Sequence, residues 1–140
     1  MIFVHANMNQ QQIQTVRKTW KLLEQIDPAL VGDIFYARLF SEHPSLRKMF
    51  PKNMQEQHHK LINMLTWIVM SLGSTGLLVK ELKAMGDRHV HYGVTDAHYA
   101  YVRDALLWTL EQGLGNDWND EVKEAWELCF EELTVAMKPA

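Results

Sequence analysis

Apolar residues recur along this chain at spacings of three and four, and that period sets every element the sequence predicts. Ile13, Val16, Trp20, Leu23 and Ile26 form the first stripe. Asn9 stands ahead of it as an N-cap, with Gln12 at capping-box spacing. Asp27-Pro28 then stops one helix and starts another, because aspartate caps well and proline suits the first helical position. The second helix carries Ile34, Phe35, Tyr36, Leu39 and Phe40. His43-Pro44 opens a short helix that ends at Met49-Phe50-Pro51, where proline prevents continuation. After a polar stretch, Leu61, Met64, Leu65, Ile68 and Leu72 share one face, and Gln57 stands one turn back along it. Leu78, Leu82, Met85 and His89 make the next row, with Gly93 as its left-handed C-terminal cap. Thr95-Asp96 caps a long helix bearing Tyr99, Val102, Leu106, Leu110 and Gly113, which Gly113 and Gly115 close. Asn116-Asp117 caps the last helix, with Val122, Trp126, Cys129, Leu133 and Met137 in register. No run alternates with the period of two that a half-buried strand requires. Helices joined by short turns predict an all-α single domain over residues 1–140, with residues 1–8 as an N-terminal extension.

The composition fits that outline. A chain of 140 residues, 47% hydrophobic and 22% charged, suits one globular domain with a real core. With a net charge of −3 and basic residues scattered among acids, it lacks the electrostatic footprint for nucleic acid. The uncharged stretch from Leu61 to Val79 approaches a membrane span in length. Gly73-Ser74-Thr75-Gly76 breaks it, and Asn63, Thr66 and Ser71 weaken it, so a helix end, a turn and a new helix are predicted. The single cysteine, Cys129, cannot form an internal disulfide, and the apolar run at the N-terminus is too short for a signal peptide. Both features predict a cytoplasmic location.

Motifs of hydrolytic or structural-metal chemistry are missing: there is no H-E-x-x-H, paired cysteine spacing, G-x-S-x-G or phosphate-cradling glycine loop. His89 and His91 stand two apart, nearly opposite one another on a helix, and cannot chelate one ion together. What remains is a set of polar side chains on apolar rows. His89 reads either as a hydrogen-bonded core residue or as an axial ligand to a metal cofactor. Gln57 reads either as a partly wet helix start or as a buried amide, for which an unmet hydrogen bond costs about 1–3 kcal/mol. His58 and His59 point about 100° and 200° away from it, so only one of the three shares a given pocket. Tyr36 alone reads as an ordinary core tyrosine.

Taken together, Phe35-Tyr36, Pro44, Phe50, Gln57, Leu61, His89, Tyr92-Gly93-Val94 and Tyr99 form a pattern that resembles the globin family, specifically bacterial single-domain haemoglobins similar to the haem domain of flavohaemoglobins. The resemblance runs from Asn9 to Met137. It implies a globin fold of seven to eight helices around haem b, and the absence of C-x-x-C-H makes that haem non-covalent. His89 corresponds to the proximal iron ligand, Phe50 to the aromatic ring packed on the haem, and Leu61 to the apolar distal wall. Tyr36 and Gln57 correspond to the distal residues, the 32-residue interval from Gln57 to His89 matching the family's. Tyr99 corresponds to the tyrosine beside the proximal ligand. Tyr92 and Val94 are expected against the cofactor, and Arg88 and His91 either meet its propionates or face solvent.

Iron held by one neutral imidazole keeps its sixth position open to oxygen, nitric oxide or carbon monoxide. Two distal donors at about 1 kcal/mol each would slow oxygen release by roughly 10-fold to 100-fold, so high affinity is expected. The resemblance also implies nitric oxide dioxygenation where an external reductase restores ferrous iron. The chain departs from the flavohaemoglobin pattern in Met137-Lys138-Pro139-Ala140, which holds no acid where that group has a glutamate; Glu131 and Glu132 lie earlier. Strong proximal activation is therefore not expected. Two alternatives are a hexacoordinate form, with His58 or His59 as sixth ligand, and a cofactor-free sensor or interaction domain. Retention of both Phe50 and His89 weighs against the second.

Overall fold

Local capping chemistry defines where the helices begin. The computed structural model describes residues 8–73 and 75–137, leaving aside the side chains of residues 75–79 and 91. The Asn9 side chain accepts from the Gln12 N–H at 2.8 Å while the Gln12 side chain accepts from the Asn9 N–H at 2.9 Å, which starts α1 (Gln10–Glu24). Asp27 accepts from the Ala29 N–H at 3.0 Å and Pro28 opens α2 (Pro28–Glu42). A 3-10 segment, Pro44–Met49, leads into Phe50. Then come α3 (Gln55–Met70), α4 (Thr75–His91), α5 (Asp96–Leu114), a 3-10 turn at Gly115–Asp117, and α6 (Asp120–Met137). The described residues contain no strand, and no described helix is long and apolar enough to cross a membrane. The turn at 71–73 ends α3 inside the uncharged stretch, as the sequence predicts.

Three boundaries differ from expectation. The last helix is capped by Asn119, which accepts from the Val122 N–H at 2.9 Å, because Asn116 and Asp117 are consumed in the 3-10 turn. Gly115 alone closes α5, with φ +53°, whereas Gly113 lies inside it. A Cβ at Gly113 would collide with Leu23 Cδ1, so the missing side chain lets α1 cross closely. Met8, assigned to the N-terminal extension, is buried in the core.

The apolar faces converge as the periodicity requires. α2 packs against α3 and α5, α1 packs along α6, and α4 also packs on α6. Phe35, Leu39, Ile13 and Trp126 are among the most deeply buried side chains. The indole N–H groups of the two buried tryptophans are satisfied: Trp126 donates to Thr19 Oγ1 at 2.9 Å, and Trp20 donates to Thr66 Oγ1 at 3.0 Å. Two glycines set close crossings. A Cβ at Gly32 would lie 2.8 Å from His58 Cβ, where α2 meets α3, and one at Gly86 would overlap the Met137 carbonyl, where α4 meets α6. Among the described residues, the main packing of α4 is therefore with α6 rather than with its predecessor α3.

Candidate functional site

The candidate site draws on α4 and on α2, α3 and the turn after the 3-10 segment. On α4, the row Leu82, Met85, His89 turns inward, with Leu82 fully buried and His89 half-buried. The His89 ring places Nδ1 2.6 Å from the Met85 carbonyl oxygen. A carbonyl can only accept, so Nδ1 carries the proton, and in the neutral ring Nε2 keeps its lone pair. The backbone around His89 is fixed as well. The Val94 N–H donates to the His89 carbonyl at 3.1 Å and the Gly93 N–H to the Val90 carbonyl at 3.0 Å, with Gly93 at φ +81°. These two bonds form a Schellman cap, which anchors the end of the helix. A neutral imidazole so held has the donor chemistry and orientation of an axial metal ligand, the carbonyl acting as the outer partner that fixes its tautomer.

Opposite in function is an aromatic cluster carried by α2, α3 and the turn after the 3-10 segment. Tyr36 is buried, and its ring contacts Phe35 at 4.7 Å, Phe50 at 5.5 Å and Phe40 at 5.8 Å between centroids. The His58 ring stacks on it at 5.3 Å and 16°. Burial raises the Tyr36 pKa above its ordinary value of 10.0, and a side-chain hydrogen bond from Gln57 opposes that rise. Gln57 is half-buried and also borders an open surface cleft of about 600 Å³ that Pro51, Asn53 and Lys60 help to line. Leu61 is buried beside Phe35, Leu65 and Leu106, around an internal void of about 10 Å³.

The structure brings Tyr36, Phe50 and Gln57 together. His58 is occupied by the Tyr36 stack and the Gly32 crossing, and the exposed His59 places Nδ1 3.0 Å from the Gln55 carbonyl. Tyr92 is 68% exposed and turns only a ring edge to His89, at 6.1 Å. Arg88 is exposed and Val94 half-buried. Tyr99 lies on the first turn of α5, where burial and then the Asp96 carboxylate raise its pKa. The His91 side chain, Leu78 and residues 138–140 fall outside the described residues. Two contributors went unnoticed in the sequence. Gly32 is signalled by a glycine inside an otherwise good helix, and Arg47 by a cation at the end of a helical turn.

The Globin family matches residues 33–137. A leghemoglobin of Canavalia lineata is 30% identical over 142 aligned positions, covering 94% of this chain and 95% of its own. Leghemoglobin 3 of Sesbania rostrata is 33% identical over 119 positions, covering 76% of this chain and 80% of its own. Among solved structures, a hexacoordinated heme protein from an anhydrobiotic tardigrade superposes with a TM-score of 0.83 at 16% identity, covering 93% of this chain and 92% of its own. An engineered carbene transferase from Rhodothermus marinus, provisionally assigned as a nitric oxide dioxygenase, superposes with a TM-score of 0.80 at 25% identity, covering 93% of this chain and 90% of its own.

Proposed function

This chain belongs to the globin family, and we propose that over residues 1–140 it is a single globin unit that holds haem b non-covalently on His89 and binds oxygen and other diatomic gases with high affinity. The observation that carries the reading is the 2.6 Å contact between His89 Nδ1 and the Met85 carbonyl, which leaves Nε2 as the free donor. Haem, when bound, supplies an iron whose sixth position takes a diatomic ligand reversibly.

The chain's own residues then divide the work. His89 Nε2 holds the cofactor from α4. Phe50 offers the flat apolar surface a porphyrin needs, with Leu61 and Phe35 keeping the distal side dry. Tyr36 would offer its phenolic O–H as a hydrogen-bond donor to a diatomic ligand held in the pocket. Gln57, by donating to the phenol oxygen, polarises that hydroxyl and makes it a stronger donor. Standing at the edge of the open cleft, Gln57 also borders the side from which a ligand enters. The engagement of His58 with Tyr36 and Gly32 supports a site without an internal sixth ligand.

The same donor pair supports a second activity, nitric oxide dioxygenation, in which nitric oxide, oxygen and one electron from an external reductase give nitrate. The relative provisionally assigned to that reaction points the same way. The single buried cysteine fits a reducing cytoplasm. Absorption spectra of the purified protein in ferric, ferrous and ferrous-carbonyl forms test the principal reading. A Soret band with one broad visible band in the ferrous form is expected. Sharp split visible bands would replace it with an internally ligated globin, and no Soret band after haem addition would replace it with a cofactor-free domain. For the second activity, mixing the oxygenated protein with nitric oxide should release nitrate promptly; persistence of the oxygenated spectrum would overturn it.

A further inference from the structure

Phe50 is presented by a turn whose geometry is set by a neighbouring cation. Arg47, half-buried at the end of the 3-10 segment, donates from Nη1 to the Phe50 carbonyl at 3.3 Å and the Pro51 carbonyl at 2.9 Å, and from Nη2 to the Lys52 carbonyl at 3.0 Å. Its guanidinium carbon also lies 5.5 Å from the centroid of the Phe40 ring. The Phe50 N–H returns a bond to the Arg47 carbonyl at 3.2 Å, so the turn is closed from both sides. Three consecutive carbonyls gathered on one fork require the planar, multi-donor guanidinium; an ammonium is a compact point charge without that spread. Phe50 and Phe40, the two groups Arg47 holds, are also two of the four rings that surround Tyr36, Phe50 in a T-shaped contact at 5.5 Å and Phe40 stacked at 5.8 Å.

We propose that Arg47 is a positioning residue of the distal site, fixing the Tyr36 hydroxyl through Phe50 and Phe40 so that it is pre-aligned for its acceptor. The inference rests on the function proposed above. It predicts an effect on ligand chemistry that passes through Tyr36, which a mere helix-end cap would not produce.

The test uses the haem-loaded full chain as Arg47→Ala, Arg47→Lys, Tyr36→Phe and the Arg47→Ala/Tyr36→Phe double variant. The readouts are the oxygen dissociation rate and the C–O stretching band of the ferrous-carbonyl form, which senses donors beside the ligand. Arg47→Ala should speed oxygen release by roughly 2-fold to 5-fold, the partial loss of one hydrogen bond, and broaden or split the C–O band. Arg47→Lys should recover only part of the change. In the Tyr36→Phe background, Arg47→Ala should add nothing further. The proposal is overturned if Arg47→Ala lowers thermal stability while leaving rate and band unchanged, or if its acceleration persists in full without the Tyr36 hydroxyl. Where Arg47→Ala does not retain haem, the same readouts on Arg47→Lys decide: an intermediate shift supports the proposal and a wild-type band overturns it. Absence of a Soret band from the unmodified protein overturns both readings, whereas the other outcomes concern Arg47 alone.

Discussion

The imidazole of His89 is tied by its Nδ1 to the carbonyl oxygen of Met85, one turn earlier on the same helix, at 2.6 Å. The contact uses backbone rather than a carboxylate, so it fixes the ring's tautomer and orientation without placing a full negative charge on the imidazole. His89→Gly should abolish stable haem retention, and millimolar imidazole should restore the Soret band by supplying the missing donor. Haem content equal to wild type without imidazole would show that the ligand lies elsewhere.

On the proposed reading, Tyr36 and Gln57 act as a pair. Tyr36→Phe should speed oxygen dissociation by roughly 3-fold to 10-fold, the loss of about one hydrogen bond. Gln57→Leu should have a smaller effect, and the double variant should fall short of the product of the two, because the amide works partly through the phenol. Stopped-flow displacement of oxygen by carbon monoxide measures all three. Strict multiplicativity would mean that each side chain reaches the ligand independently.

The crossing of α2 on α3 depends on a glycine. Gly32→Ala puts a Cβ 2.8 Å from that of His58, and overpacking of this kind costs roughly 1–3 kcal/mol. Because His58 also stacks on Tyr36, the strain should be transmitted to the distal site. Adding His58→Gly should recover most of the lost stability in urea denaturation. A double variant no more stable than Gly32→Ala would place the strain elsewhere.

Alkaline stability should report the buried thiol. Burial, helped by the Glu132 charge, pushes the Cys129 pKa from 9.0 up to about 12. Between those values the unfolded chain releases a proton that the fold retains, so stability is complete below pH 9 and falls as pH rises towards about 12. Cys129→Ala should flatten this slope in chemical denaturation at successive pH values, with residual slope from Tyr36 and Tyr99, which burial shifts in the same direction. An unchanged slope would mean that the thiol ionises without unfolding.

Much of the fold was legible because its signals are local. The Asn9 and Gln12 capping box, the Asp27-Pro28 junction and the Gly93 terminus each depend on residues within a few positions of one another. The cap of α6 was misplaced for the opposite reason. Asn116 and Asn119 are equally good caps by composition, and only the path of the chain through Gly115–Asp117 selects the second. In the site, Tyr36, Phe50 and Gln57 could be brought together because their types and spacing form a pattern. The interactions that govern them could not: the Met85 carbonyl is invisible to side-chain reading, and the parallel ring of His58 follows from the inter-helix distance at Gly32. Arg47 acts on backbone oxygens, which every sequence supplies.

On the proposed reading, the leaning of α4 on α6, with Gly86 seated against the Met137 carbonyl, would couple cofactor uptake to folding, because haem on His89 would give α4 a second neighbour. Part of the cofactor's affinity would then be the ordering energy of its own ligand helix. Haem concentration becomes a denaturant-like variable run in reverse, steepening the protection of amides around His89 from exchange while leaving those of the α1–α6 core nearly untouched.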